Sequence, residues 1–203
     1  MSKLRPIRLQ RRTAVLAPAV AAVLCAAVVL LAAAQQPAKR IYVDEDYGFK
    51  LAAPGDWQRA SPNGATVPGE ICRVWSSGQS ATVVIFMQKP NQAVSPRLVL
   101  DESAKAMKTS LGCDIQEQQV KDVAGMRAMW LVVTGNGTGA ALDGKGGVRT
   151  SQHWVAIPRE RALIVLLLTA PEAEFKSAQE VFQAMLETLE VTGKQTAEQK
   201  AAK

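Results

Sequence analysis

Residues 139–147, GAALDGKGG, come within one residue of a phosphate-binding loop. That loop reads G-x-x-x-x-G-K-[ST], and its glycines, lysine and hydroxyl cradle phosphates and hold magnesium. Gly139, Gly144 and Lys145 fall in register, but Gly146 stands where the hydroxyl belongs. The context fails as well. AMWLVVT before the glycines reads as a strand, and VRTSQHWVAI after them reads as a second strand with no helical period. No helix N-terminus is therefore available to meet a phosphate. Residues 135–147 read as a long hairpin loop, and the overlapping GNGTG fails as a dinucleotide fingerprint for the same reason. Asn136-Gly137-Thr138 is a formal glycosylation sequon, relevant only in a host that glycosylates.

His153 is the only histidine. A Ser-His-Asp hydrolase would have to use it, yet GQSA around Ser80 lacks the second glycine of a nucleophile elbow and leads into a strand. By alternation His153 shares a sheet face with Arg149, Ser151, Val155 and Ile157. A structural or solvent-facing role is expected, with catalysis by His153 as the rival. A zinc site would need Cys72, Cys113 and acids at no recognised spacing. Asp44, Glu45 and Asp46 lack the spacing of a calcium loop and read as solvated. Trp57, Trp75, Trp130 and Trp154 read as core aromatics, with a ligand-pocket lining as the alternative. No catalytic, cofactor-binding or metal-binding residue is assigned.

The elements that position these groups follow from periodicity. YGFKLAAPGDWQRA opens with a short strand stopped by Pro54-Gly55. ICRVWSS and ATVVIFMQK make a hairpin, and Val83 to Phe86 leave no polar face, so the second strand is buried on both sides. Ser95-Pro96 opens a helix. Leu100, Ala104, Met107 and Leu111 face its core, and Gly112 closes it in a left-handed cap. CDIQEQQVKDV is a strand with one polar face near a sheet edge, turned by Ala124-Gly125 into MRAMWLVVTG. VRTSQHWVAI and ALIVLLLTA flank a turn at residues 158–161. Pro171 opens a last helix that buries Phe175, Ala178, Phe182, Met185, Leu186 and Leu189. Short connections imply an antiparallel sheet, and doubly buried strands imply cover on both faces.

The N-terminal end fixes the expected compartment. Lys3, Arg5, Arg8, Arg11 and Arg12 precede an unbroken apolar run from about Ala14 to Ala34. This is the build of a secretory signal, and at ~30 Å of helix it also suits an uncleaved anchor. Cys25 sits inside it as a small hydrophobe. The segments are then a leader (1–34), a linker (35–45), one domain (46–192) and a polar tail (193–203). The leader holds 5 of the 24 bases and no acid, which leaves 19 bases against 18 acids. The pI of about 9.4 is thus mostly targeting charge, and no nucleic-acid footprint is expected. Outside the leader Cys72 and Cys113 remain, in a compartment that permits disulfides. Their pairing would close a loop of about 40 residues, worth roughly 4 kcal/mol in the chain-entropy model; two unpaired buried thiols are the alternative.

Three stretches carry a family resemblance. YGFKLAAPGDW resembles the opening of PsbP-like domains, VKDVAGMRAMWLVVTG is similar to their glycine-led strand entry, and TAPEAEFKSAQEVFQAMLETLEV is similar to their closing strand and helix. The resemblance covers about residues 42–192 and implies an α+β fold, an α/β/α sandwich around a central antiparallel sheet. It implies a non-enzymatic accessory or binding protein and supplies no catalytic residues. The expectation is an exported or membrane-tethered domain that binds a protein partner, without cofactor or nucleic acid. A carrier of a small apolar ligand, held between sheet and helix, is the rival, and a hydrolase built on His153 is the second.

Overall fold

The computed structural model describes residues 39–60, 69–76, 78, 81–90, 93–137, 147–160 and 162–192. The leader, the tail, Ser80 and the near-miss glycine motif at 139–146 lie outside the described residues. Among the described residues no helix is long and apolar enough to cross a membrane.

The elements run β1 (Arg40–Asp44), β2 (Phe49–Ala53), β3 (Gln58–Ala60), β4 (Glu70–Trp75), β5 (Thr82–Gln88), α1 (Pro96–Leu111), β6 (Asp114–Val123), β7 (Met126–Gly137), β8 (Val148–Arg159), β9 (Ala162–Pro171), α2 (Glu172–Glu187) and β10 (Glu190–Val191). Seven strands pair in the order β3-β4-β5-β9-β8-β7-β6, and three more in the order β1-β2-β10. Every pairing is antiparallel.

Side chains alternate through the large sheet into two cores. Val84, Phe86, Leu131 and Val165 point to one face, where Leu100 and Ala104 of α1 meet them. Val83, Ile85, Leu166 and Leu168 point to the other, beneath Phe182 and Met185 of α2 and Phe49 and Leu51 of the small sheet. The result is the expected α/β/α sandwich, with the small sheet sharing one outer layer with α2.

Local chemistry sets the helix ends. Ser95 Oγ accepts a hydrogen bond from the Leu98 N–H at 3.1 Å, and Pro96 occupies the first turn. Gly112 ends α1 at φ +64°, a left-handed conformation that a Cβ disfavours. Helix α2 starts directly on Pro171, the last residue of β9, with Glu172 and Glu174 in its first turn facing the positive end of the helix dipole.

Three boundaries differ from the sequence reading. Residues 40–44, read as linker, form β1, because Tyr42 turns inward against the core while Ile41 and Val43 point out. The hairpin ladder continues through Gly135↔Thr150, Asn136↔Arg149 and Gly137↔Val148, so residues 135–137 belong to β7 and not to a loop. The turn read at 158–161 is tighter, since Pro158↔Leu163 and Arg159↔Ala162 are paired. Proline fits there because the pairing of β8 with β7 ends at Ala156, leaving only one neighbouring strand to serve.

Candidate functional site

Helix α2 lies over β8 and β9, not over β6 and β7. On that face the two last strands of the sheet are left as the floor of a groove, with α2 as its wall. The long side chains on the floor come from one alternation. Glu117, Gln119, Lys121 and Val123 of β6 point to the α2 side, while Gln118 turns the other way to hydrogen-bond Asp101 of α1.

Two hollows occupy the groove. One, of about 380 Å³, is lined by Lys121, Val123, Ala124, Trp130, Leu186 and Leu189. The other, of about 440 Å³, is lined by Glu117, Thr134, Ser151, Phe175, Lys176 and Gln179. Between them stands a bonded ridge. The Trp130 indole N–H donates to Glu117 Oε2 at 2.9 Å, and Lys121 Nζ donates to Glu117 Oε1 at 2.9 Å. The Gln119 amide also donates to that carboxylate. Lys121 Nζ sits 4.0 Å from the Trp130 ring centroid, a cation–π geometry. Burial works against the Glu117 charge, but the hydrogen bonds from Lys121 and Trp130, with the Lys121 charge, outweigh it and hold the carboxyl below its usual range. At the far end Thr134 and Ser151 share a hydroxyl hydrogen bond of 2.8 Å. Arg149 bridges Asp114 at 3.2 Å and Glu172 at 2.9 Å, fastening the start of β6 to the start of α2.

His153 lies beneath this ridge and is fully buried. Its ring packs edge-on against Trp130, at 4.1 Å between centroids, and against Phe182, at 5.1 Å. Gln179 Nε2 is 3.5 Å from Nδ1, and Nε2 has no hydrogen-bond partner among the described residues. Burial pushes its pKa down to about 4, against the pull of Glu117 and with a further push from Lys121. The imidazole is therefore neutral at pH 7 and enclosed. Ser151, on the same face, bonds Thr134 and not His153. Among the described residues no nucleophile sits against this enclosed ring, so they form no triad.

The two cysteines are not brought together. Cys72 is buried in the core on the α2 side, and Cys113 is buried in the core on the α1 side. The seven-stranded sheet separates them, so the expected disulfide is not formed. Its physical reason is a matter of face: the hairpin β4–β5 turns Cys72 inward beneath the small sheet, whereas Cys113 follows the α1 cap. Burial, then the Asp114 charge, raise the Cys113 thiol pKa.

The four tryptophans divide. Trp57 is core, Trp154 packs edge-on against Phe86, Arg73 lies 5.6 Å over Trp75, and Trp130 lines one of the two hollows. Asp44 accepts a hydrogen bond from the Tyr47 N–H and closes a turn between β1 and β2. Among the described residues no group of three or more His, Cys, Asp or Glu is arranged to hold a metal ion. Sequence reasoning missed the ridge. Its trace was the spacing Glu117, Gln119, Lys121 in a strand otherwise read only as polar on one face.

No protein-family model matches the chain, and no curated protein matches it. Solved structures do. The solution structure of cyanobacterial PsbP (CyanoP) from Synechocystis sp. PCC 6803 superposes with a TM-score of 0.56 at 14% identity, covering 76% of this chain and 92% of that one. LpqN, described as involved in cell envelope biogenesis of Mycobacterium tuberculosis, gives 0.54 at 19%, covering 76% and 91%. The Saccharomyces cerevisiae Ran-binding protein Mog1p gives 0.53 at 7%, covering 77% and 97%. At these identities the likeness is one of fold. It agrees with the strand and helix signatures read from the sequence, and the chain has the fold seen in PsbP (CyanoP) and LpqN.

Proposed function

We propose that this chain is a non-enzymatic binding domain, carried outside the cytoplasm by its leader, whose groove between α2 and β6 holds a protein partner. The observation that carries the reading is the groove itself. It is a half-covered sheet face with an indole, a carboxylate and an ammonium bonded into a fixed ridge. Aromatic and charged groups held rigid by their own bonds lose little freedom on contact, which favours recognition. The fold neighbours support the same class, since one is described as Ran-binding and another as involved in cell envelope biogenesis. Export rests on the five bases before the apolar run.

A carrier of small apolar ligands finds less support. The apolar side chains between sheet and helices are packed into two buried clusters, and both hollows mix charged with apolar walls. The hydrolase rival loses its base, because His153 is enclosed.

Site-specific photo-crosslinking in native membranes tests the reading. A photoreactive residue at Gln119 or Gln183, in the groove, should give a discrete protein adduct, and one at Lys105, on the outer side of α1, should not. Equal adducts at all three positions, or none in the groove, would remove the proposal.

A further inference from the structure

We propose that β1 is a self-pairing edge, by which two copies of this chain join antiparallel about a twofold axis at Tyr42. The surface belongs to the small sheet, apart from the groove, and the inference does not depend on the groove reading.

Strand β1 is an edge of the small sheet, and among the described strands it pairs only with β2. Ile41 is 64% exposed and Val43 52% exposed, two aliphatic side chains side by side on the outer face of that edge. An apolar edge left open in this way is a template for a further strand. The direction of its backbone groups follows from the other side of the sheet. The Ala52 N–H donates to Thr188 Oγ1, and Gly48 O accepts from the Thr192 N–H, so both residues turn toward β10. Direction alternates along an antiparallel strand, so Leu51 and Ala53 turn toward β1 and meet Tyr42 and Arg40, their register partners. Ile41 and Val43 are left with N–H and C=O on the free edge.

The order of side chains selects the occupant. Residues 39–45, KRIYVDE, carry bases and acids at mirrored positions about Tyr42. A second copy running antiparallel and centred there sets Ile41 opposite Val43, Arg40 opposite Asp44 and Lys39 opposite Glu45, each of them twice by symmetry. Ile41 and Val43 of the second copy then exchange both ladder bonds, and opposite charges meet at both ends. A slip of two residues keeps the ladder but sets Arg40 or Asp44 against Tyr42, and in-register parallel pairing sets like charges side by side. Backbone and charge therefore choose one register. The charges are available for it. Among the described residues Lys39, Arg40, Asp44 and Glu45 form no ion pair. Asp44 receives the Tyr47 N–H on Oδ1, which leaves Oδ2 for a guanidinium. The same patch serves both copies, as a closed twofold dimer requires.

The test uses full chains in detergent micelles, all carrying Cys25→Ser, because Cys72 and Cys113 are buried and do not compete. A one-to-one mixture of Ile41→Cys chains and mass-tagged Val43→Cys chains is oxidised briefly. The mixed disulfide should form roughly fivefold faster than either like-with-like disulfide, since only directly opposed positions lie within bridging distance. Leu98→Cys, at an exposed site on α1, should link as slowly as the like-with-like pairs. Arg40→Glu in both chains opposes like charges at both ends and should slow the mixed link roughly tenfold. Lys39→Glu should slow it too, and Glu45→Lys added to that variant should restore the rate. Lys39, Arg40 and Glu45 are exposed, so the variants keep the fold. Equal rates for mixed and like-with-like links, a Leu98→Cys link as fast as the mixed one, or indifference to the charge reversals overturns the proposal. A dimer held by the leader alone would give the first of these results.

Discussion

His153 shows what a single buried group does to the molecule's response to acid. Its pKa is lowered to about 4 in the fold, from about 6.5 in an unfolded chain. The unfolded state thus binds the proton first as pH falls. The stability this neutral ring contributes is complete above pH ~6.5 and is lost progressively down to pH ~4, by about 3 kcal/mol in total. His153→Leu, of similar volume between Trp130 and Phe182, should flatten that loss. Guanidinium midpoints at pH 7.0 and 4.5 measure it, and an unchanged pH difference in the variant would contradict the account. The cysteines give a second test at this scale. On opposite faces and buried, Cys72 and Cys113 should resist alkylation in the native domain. Both should take label after unfolding without reductant, which intact mass reports; their failure to label would mean a bridge.

At the scale of elements, two glycines with similar angles should behave differently. Gly48 has φ +65°, and a Cβ there would collide with Thr192 Oγ1. Gly112 has φ +64°, but a Cβ there would meet nothing within 4 Å. Gly112→Ala should therefore cost only the left-handed conformation, ~1 kcal/mol. Gly48→Ala should add a steric cost and reach ~2 kcal/mol or more, as denaturant midpoints would register. Equal costs would mean that Thr192 yields freely. This level was also the most legible in the sequence. The α1 caps, the β4–β5 hairpin and the buried stripe of α2 are local signals, written in residues three or four apart. Strand β1 was not legible, since RIYVD is five residues long and takes its meaning from Phe49–Ala53 across the pair. Nor was the ridge, because Glu117, Trp130 and Lys121 meet only through the β6–β7 register. The face on which each cysteine falls is likewise a property of the assembled sheet.

For the whole molecule, the leader and the domain answer different questions. Five bases followed by an unbroken apolar run predict export whatever the domain binds. A reporter that works only in the cytoplasm, fused after Lys203, should stay silent, and a strong signal would contradict export. The domain's net charge near neutrality predicts no appreciable affinity for nucleic acid.

The small sheet is closed by its last and shortest strand. Glu190↔Lys50 and Val191↔Phe49 pair residues about 140 positions apart. Thr188 Oγ1 accepts from the Ala52 N–H at 2.9 Å, and the Thr192 N–H donates to Gly48 O at 2.8 Å. A two-stranded ribbon such as β1–β2 is marginal on its own in water. If the chain crosses a membrane from its N-terminal end, β1 and β2 emerge before the rest of the domain and must wait for residues 188–192 before they are held. The small sheet then closes only after those residues have crossed, and contacts of such sequence separation are slow to form because the loop-closure entropy is lost before they are made. Over that interval the unclasped hairpin and the uncovered core face beneath it would be open to chaperones and proteases.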